Sequence, residues 1–289
     1  MFYSHIARSD YNTRTGEYIP SWKKLARTHK GVKLSELDWH STSFGLYSPA
    51  YTTTNEDWRF AMRELNPAGK TVLTVAASGD QPIAFQVNGA RDIDTFDTTY
   101  FAKVITDIKT SALQTIDCTQ YKNMLVELRN ARSSRDISAY DKIKTVCPRE
   151  TLAIIRQMDG CRIFAQGTGI RDEYLPNENE YNAAKKIVKT PIHFIWSDLE
   201  NLYTKLTKKY DLIYLSNIFE YYHDKNKIAQ TLNNLYPFLN ENGEIMLFTS
   251  WVHTNVSEMI VYAATKCAWG KVKSQETNGA VMLTMTRVR

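Results

Sequence analysis

The sequence predicts an α/β protein built on a mostly parallel sheet with crossover helices, interrupted by a helical insertion and closed by an antiparallel hairpin. Three observations predict it. From Thr71 to Ile116, strand-like and helical stretches alternate twice within about 45 residues, the mark of parallel strands joined by helices. The alternation stops from Asp117 to Thr190 and then resumes. The chain ends in two strand-like runs, KVKSQET and AVMLTMTRV, on either side of Asn278-Gly279, a strong two-residue hairpin signal.

The elements follow in order. Residues 1–55 are rich in Tyr, Thr, Ser and Trp with weak periodicity, and read as an irregular or helical extension. WRFAMREL has Trp58, Met62 and Leu65 at helical spacing; Asn55 or Asp57 caps it and Asn66-Pro67-Ala68-Gly69 ends it. TVLTVA is a strand, Gln81 to Asn88 a short helix closed by Gly89, RDIDTF a strand ending at Asp97, and Thr98 to Ile116 a helix with Phe101, Ile105, Ile108 and Leu113 on one side. The insertion, 117–190, reads as mostly helical: YKNMLVEL, SAYDKIKTV, ETLAIIRQM, a polar loop RDEYLPNENE, then YNAAKKIV. After it come a strand IHFIWSD, a helix from Leu199 to Lys208, a strand DLIYLSN and a helix from Lys225 to Leu239. Asn242-Gly243 turns into the strand EIMLFTS, and Ser257 to Ala268 is a helix. The expected organisation is thus an extension (1–55), a nucleotide-binding-type domain (56–116 and 191–289) and an insertion (117–190) that covers the substrate.

Composition narrows the function classes. With 289 residues and 43% apolar content, the chain suits one large domain or one domain with a sizeable insertion. No run approaches the 18 or so apolar residues of a membrane span, and the start, MFYSHIARSDYN, lacks the pattern of a signal peptide. Cys118, Cys147, Cys161 and Cys267 form no CxxC pair. They read as free thiols in a reducing cytosol rather than a metal site, so a cytoplasmic protein without metal is expected. Net charge is +5, and residues 1–33, with seven Lys or Arg against Asp10 and Glu17, carry all of it. Such an arm suits an anionic surface, such as lipid headgroups or nucleic acid, or is simply a solvated face. Its aromatics Tyr3, Tyr11, Tyr18 and Trp22 either stack on bases or pack; nucleic acid is not the expected partner.

The small-residue corner after the first strand, AASGDQP, carries the chemistry. A phosphate loop needs a Gly-Lys-Ser/Thr that is absent, and a dinucleotide fingerprint needs three glycines where only Gly79 stands. A small zwitterion attached to a nucleoside asks for less. Ala77, Ser78 and Gly79 allow close backbone approach, helix amides suit a carboxylate, and Ser78, Asp80 or Gln81 can meet an ammonium. Asp97, 18 residues after Gly79 at the end of the next strand, is placed to hold a ribose, with Thr98 beside it. Asp198, followed by Leu199, ends a third strand, where an acid can accept from an adenine amino group. Ser216 and Asn217 end a fourth, at the sheet edge where open α/β folds bind ligands. Plainer readings stand beside these: a tight turn at the corner, and a helix cap at Asp198.

The count of strands permits a seven-stranded sheet whose last strand inserts antiparallel, and so resembles the Rossmann-like fold of class I S-adenosylmethionine-dependent transferases. More narrowly, the acidic segment before the first strand, the corner AASGDQP, the helix ending in Gly89-Ala90, the acid-ended strand DIDTFD, the long helix and the segment YDLIYLSNIFEYY resemble the betaine-lipid-type S-adenosylmethionine:diacylglycerol aminocarboxypropyl transferases. The similarity covers residues 55–128 and 209–222. It implies S-adenosylmethionine as co-substrate, bound by Ala77, Ser78, Gly79, Asp80, Gln81, Asp97, Thr98, Asp198, Leu199, Ser216 and Asn217, with no metal. It also implies transfer of the aminocarboxypropyl group to a hydroxyl or other nucleophile of a lipid or small-molecule acceptor, releasing methylthioadenosine. His223 is then the candidate base, Glu220 the second, and Asn217 a further catalytic candidate, although His223 also suits a plain surface position. Tyr221 and Tyr222 line such a site or pack on a helix. Two alternatives remain: a methyltransferase acting on a small molecule, and a noncatalytic protein that binds S-adenosylmethionine or a nucleoside. If the acceptor is a lipid, the basic arm meets an anionic membrane surface peripherally.

Overall fold

The computed structural model describes residues 50–131, 133–156, 164–165, 175–189, 191–222, 224–250, 258, 260–262, 269, 271–277 and 280–287. The basic arm, His223, Cys161, Cys267 and the Asn278-Gly279 turn lie outside the described residues. Nine strands are described: β1 (Ala50–Tyr51), β2 (Thr71–Val75), β3 (Asp92–Asp97), β4 (Phe164–Ala165), β5 (His193–Trp196), β6 (Tyr210–Tyr214), β7 (Leu239–Ser250), β8 (Lys271–Thr277) and β9 (Ala280–Thr286). The described α-helices of four residues or more are α1 (Trp58–Leu65), α2 (Asp80–Val87), α3 (Phe101–Thr115), α4 (Cys118–Asn130), α5 (Tyr140–Ile143), α6 (Arg149–Arg156), α7 (Glu178–Ile187) and α8 (Lys225–Leu235).

Seven of the strands form one sheet in the order β5-β3-β2-β6-β7-β9-β8. β2 runs parallel to β3 and to β6, and β6 parallel to β7. β9 runs antiparallel to both β7 and β8. The last strand therefore lies between the fifth and sixth of the seven, reversed. This is the Rossmann-like sheet of the class I S-adenosylmethionine-dependent transferase fold, as the sequence predicts. Every residue of β2, TVLTV, is buried, which is the pattern of a central parallel strand covered on both faces. Thr277 pairs with Ala280, the register that a two-residue connection requires.

The chain groups into two compact units. One comprises Met1–Glu56, Ala76–Ile83 and Asp97–Trp196; the other comprises Asp57–Val75, Ala84–Phe96 and Ser197–Arg289. In the first, α3 is the axis: twelve of its fifteen residues are buried. Helices α5, α6 and α7 of the insertion pack against it, as does β1. From α7 the Tyr181 hydroxyl reaches the carbonyls of Ala112 (3.3 Å) and Ile116 (3.0 Å), and the Lys185 ammonium donates to Ile116 at 3.0 Å. The Ala112 carbonyl already takes the Ile116 amide at 3.0 Å, so the hydroxyl and the cation together serve chiefly the Ile116 carbonyl at the end of α3. In the second unit the buried Asp94 of β3 accepts from the Tyr210 hydroxyl at 2.6 Å and pairs with Lys208 at 3.0 Å.

Several expectations are corrected. Beside its helices the insertion carries a two-residue strand that the sequence reading did not include: β4 pairs in parallel with β1. Its helix expected over SAYDKIKTV is a single turn, α5. The helix expected from Leu199 to Lys208 is a short 3-10 turn, Leu202–Lys205, because Asp198 and Thr204 side chains bond to the backbone of Asn201 and compete with an α-helical ladder. α8 stops at Leu235 and a 3-10 turn holding Pro237 follows, since proline lacks the amide that the helix needs. Asn242-Gly243 lies inside β7, not before it. Asn242 has φ 60°, and the pairing with β6 jumps from Tyr210↔Leu239 to Leu212↔Glu244, leaving residues 240–243 opposite Asp211; the two residues belong to a bulged irregularity that the strand runs through. Asp57, not Asn55, caps α1 by accepting from the Phe60 amide at 3.0 Å.

Gly79 has φ +82°, and a Cβ built there would lie 2.9 Å from Thr106 Cα of α3. The absence of a side chain lets α3 approach the corner. Gly69, with φ +74°, has nothing within 4 Å of its Cβ position. Gly69→Ala is expected to lose only the left-handed backbone term, about 1–2 kcal/mol. Gly79→Ala is expected to lose that plus an overpacking term, roughly 2–4 kcal/mol together. Urea denaturation of both variants checks this; equal losses would show that α3 does not press on the corner.

Candidate functional site

The corner follows from the end of β2. The chain leaves the strand through Ala76, and Ala77 adopts φ 44°, a left-handed conformation that a residue other than glycine adopts at some strain. The turn closes with the Gly79 amide donating to the Ala76 carbonyl at 2.7 Å. Helix α2 starts at Asp80.

Asp80 is the hub of the corner. Its carboxylate accepts from the Ser78 hydroxyl at 2.9 Å and the Thr54 amide at 2.7 Å. It also takes an ion pair from the ammonium of Lys109, a fully buried lysine on α3. Burial pulls the Lys109 ammonium below the usual lysine range, and the Asp80 charge opposes that. Of the three residues expected to meet an ammonium, Ser78 and Asp80 are therefore bonded to each other inside this network. Gln81 is also buried, 3% exposed. Its amide nitrogen donates to Thr54 Oγ1 at 3.0 Å and reaches Glu56 Oε2 at 3.5 Å, and its carbonyl oxygen has no partner.

Thr54 and Glu56 come from the segment before α1. In that segment Ala50, Thr52, Thr54 and Glu56 are buried while Tyr51 and Asn55 are exposed. The alternation is that of an extended chain with one face turned in. Sequence reasoning missed it because the inward residues are Thr and Glu rather than apolar. Lys109 was missed too, although one signal was present: it falls four residues after Ile105 and next to Ile108, on the helix's apolar side.

Asp97 ends β3, half-buried. Its carboxylate accepts from the Ala77 amide at 2.9 Å and the Thr99 amide at 3.0 Å. Burial pushes its pKa up to about 6, against the pull of the Thr99, Ala77 and Thr98 amides. A carboxylate accepts about four hydrogen bonds, so capacity for a further donor remains. The first unit thus brings together Ala77, Ser78, Gly79, Asp80, Gln81 and Asp97. Thr98 adjoins them, its carbonyl accepting from the Trp196 indole at 2.7 Å.

In the second unit both Asp198 carboxylate oxygens accept from Asn201, at 2.7–3.0 Å, a turn-capping role, and Leu199 is buried. After β6, Ser216 adopts φ 55° and is buried. The Asn217 amide donates to Glu220 Oε2 at 3.1 Å, so the two candidates at this strand end are in contact. Tyr222 packs edge-on against Phe219, ring centres 5.1 Å apart, while Tyr221 is exposed. Among the described residues no group of His, Cys, Asp or Glu is arranged to hold a metal ion, and no helix is long and apolar enough to cross a membrane.

No protein-family description matches the chain, and no curated protein does; neither comparison supports the aminocarboxypropyl transferase family. Solved structures of similar fold are remote. A Streptococcus mutans protein assigned as a SAM-dependent methyltransferase is 13% identical, over 80% of this chain and 49% of its own, with a TM-score of 0.42. The chain thus spans about half the length of that protein. The N-methyltransferase NodS from Bradyrhizobium japonicum, in complex with S-adenosyl-L-homocysteine, is 9% identical over 80% of this chain and 88% of its own, TM-score 0.41. Magnesium protoporphyrin IX methyltransferase from Synechocystis is 9% identical over 80% of both chains, TM-score 0.40.

The raised Asp97 pKa has a consequence for stability. Its folded pKa, about 6, lies above the unfolded value near 3.9. The folded state therefore binds the proton more tightly, and stability falls as pH rises from about 4 through 6. Asp97→Asn, which cannot ionise, is expected to flatten that fall, and the difference between the two proteins should grow by roughly 2–3 kcal/mol across the window. Urea denaturation of both at pH 4, 5, 6 and 7 measures it. A constant difference would show that Asp97 titrates normally.

Proposed function

We propose that this protein is an S-adenosylmethionine-dependent transferase. One observation carries the reading: Asp97, at the carboxyl end of β3, is bonded to the corner through the Ala77 amide and holds a carboxylate that burial makes hungry for donors. A ribose hydroxyl is such a donor, and the strand order is the one on which class I transferases bind their nucleoside. The adenosine then sits with its ribose at Asp97 and its amino-acid tail towards the corner.

The group transferred is read from the sequence resemblance. In a sulfonium each of three carbons is open to displacement, and the one facing the nucleophile reacts. We infer aminocarboxypropyl transfer: the acceptor's nucleophile attacks the tail carbon bonded to sulfur, the C–S bond breaks, and methylthioadenosine leaves with the electron pair. The protein's contribution is alignment, for which positioning is worth roughly 7–11 kcal/mol. A hydroxyl acceptor gives its proton to a base, and Glu220 or His223 fills that role. The acceptor is a lipid or small molecule, covered by the segment 50–56 and the insertion, which β1 and β4 join. With a lipid acceptor, the +5 charge of residues 1–33 favours peripheral contact with an anionic surface at about 1 kcal/mol per basic side chain.

Two measurements test this. Calorimetry should detect S-adenosylmethionine binding, weakened about 10-fold to 100-fold in Asp97→Ala, the loss of charged hydrogen bonds. Unchanged affinity in a folded variant would reject the ribose assignment. Mass spectrometry of products formed with a lipid extract should find methylthioadenosine. S-adenosylhomocysteine instead would mean methyl transfer, and binding without either product would mean a noncatalytic binder.

A further inference from the structure

We propose that the outer side of the insertion at α5 and α6 is a docking face for an anionic lipid surface, with Val146 at the lipid and Lys142, Arg149 and Arg156 around it. The inference does not depend on the S-adenosylmethionine reading. It names a surface of the first unit that is separate from the arm of residues 1–33.

Charge in this part of the insertion is unevenly matched. From Glu127 to Arg156 the chain holds seven Lys or Arg against Glu127, Asp136, Asp141 and Glu150. All four acids are engaged. Glu127 accepts from the Ser138 amide at 2.8 Å and its hydroxyl at 3.0 Å, and Asp136 from the Ser133 amide at 2.9 Å. Asp141 pairs with Lys144, and Glu150 pairs with Lys103 of α3 at 2.6 Å. The cations fare differently. Exposed Arg149 has no hydrogen bond or ion pair among the described residues. Exposed Lys142 donates only to the neutral Gln120 at 3.2 Å, and exposed Arg156 only to the Tyr140 hydroxyl at 3.3 Å. These three cations therefore have no acidic partner among the described residues.

Their placement is set by the helices. α6 buries Thr151, Leu152, Ile154 and Ile155. Arg149 and Arg156 stand two turns apart on its outer side, about 10 Å along the axis. The bond from Arg156 to Tyr140 ties that side to α5, which carries Lys142. In the connection between the two helices Val146 is 41% exposed.

Cations gathered without counter-charges attract an anionic surface. The exposed valine among them says which kind. At the boundary of an anionic bilayer the headgroups meet the cations, and an apolar side chain enters the layer beneath. A nucleic-acid backbone would use the cations and give Val146 nothing. The one aromatic residue of this stretch, Tyr140, is half-buried and bonded to Arg156, so it does not offer a free ring for a base.

The test is co-sedimentation of the full chain with vesicles of phosphatidylcholine alone and of phosphatidylcholine mixed equally with phosphatidylglycerol. The wild type is expected to bind only the anionic vesicles. It should come off as salt rises from about 0.1 M to about 1 M, which shortens screening from about 10 Å to about 3 Å. Each basic side chain at such a surface is worth about 5-fold. The combined variant Lys142→Gln, Arg149→Gln, Arg156→Gln is therefore expected to lose about 10-fold to 100-fold. A matched variant in three exposed lysines of the second unit, Lys209→Gln, Lys227→Gln, Lys273→Gln, is expected to stay within about 3-fold of wild type. Equal loss in both would mean attraction by overall charge, and no loss in the first would mean that the arm alone holds the protein; either overturns the face. Val146→Trp enlarges the apolar contact and is expected to tighten binding at least about 3-fold. Unchanged or weaker binding would overturn the proposal, even should the triple variant not fold. Single-stranded RNA is the second probe. RNA affinity lost in the triple variant while vesicle binding stays would assign the face to nucleic acid and overturn the lipid reading. Failure of the wild type to bind anionic vesicles at low salt would overturn it outright.

Discussion

The burial of helix α3 is the constraint on which the first unit depends. A helix covered on nearly all sides cannot leave charged side chains in solvent, so each charge on it needs a partner within reach. Lys109 finds Asp80 at the corner. Lys103 finds Asp107 one turn on, at 2.6 Å, and Glu150 of the insertion, at 2.6 Å. Asp107 also accepts from the buried Thr151 hydroxyl of α6. Burial raises the Asp107 carboxyl, against the pull of Lys103, which is why it needs this many donors. One helix therefore fixes the corner on one side through Lys109 and the insertion on another through Asp107.

Strain gathers at strand ends. Ala77 follows β2 and Ser216 follows β6, and both adopt left-handed φ without being glycine. Each turns its chain sharply at the carboxyl end of a parallel strand, where α/β sheets bind ligands. Such conformations persist where the surroundings over-determine them. At Ala77 the surroundings are visible: its own amide is held by Asp97, the residue proposed for the ribose.

The sheet was legible because its signals are local. Five buried residues in β2, an acid closing β3, and a hairpin register around Asn278-Gly279 all follow from period and turn chemistry. The corner was legible as a place where small residues stand, but not for the reason that fixes Gly79, which is the approach of Thr106 from 27 positions later in the chain. Roles set by partners were illegible. Asp80 reads in sequence as a residue able to meet an ammonium, and its pairing with a buried lysine 29 positions on has no local signal. Thr54 and Glu56 were hidden because their inward face is polar, so no apolar period announces them. The bulge at Asn242-Gly243 imitates a turn, since both use the same left-handed backbone.

The contacts from Tyr181 and Lys185 to the end of α3 bear on how this architecture is inherited. They are made to main-chain carbonyls, which every sequence possesses, so the helix end would need a new cover if the insertion were exchanged for another. The insertion is in this sense no detachable module. A descendant that trimmed it would have to rebuild the terminus of its most enclosed helix at the same time, which ties the history of the peripheral segment to that of the fold's interior.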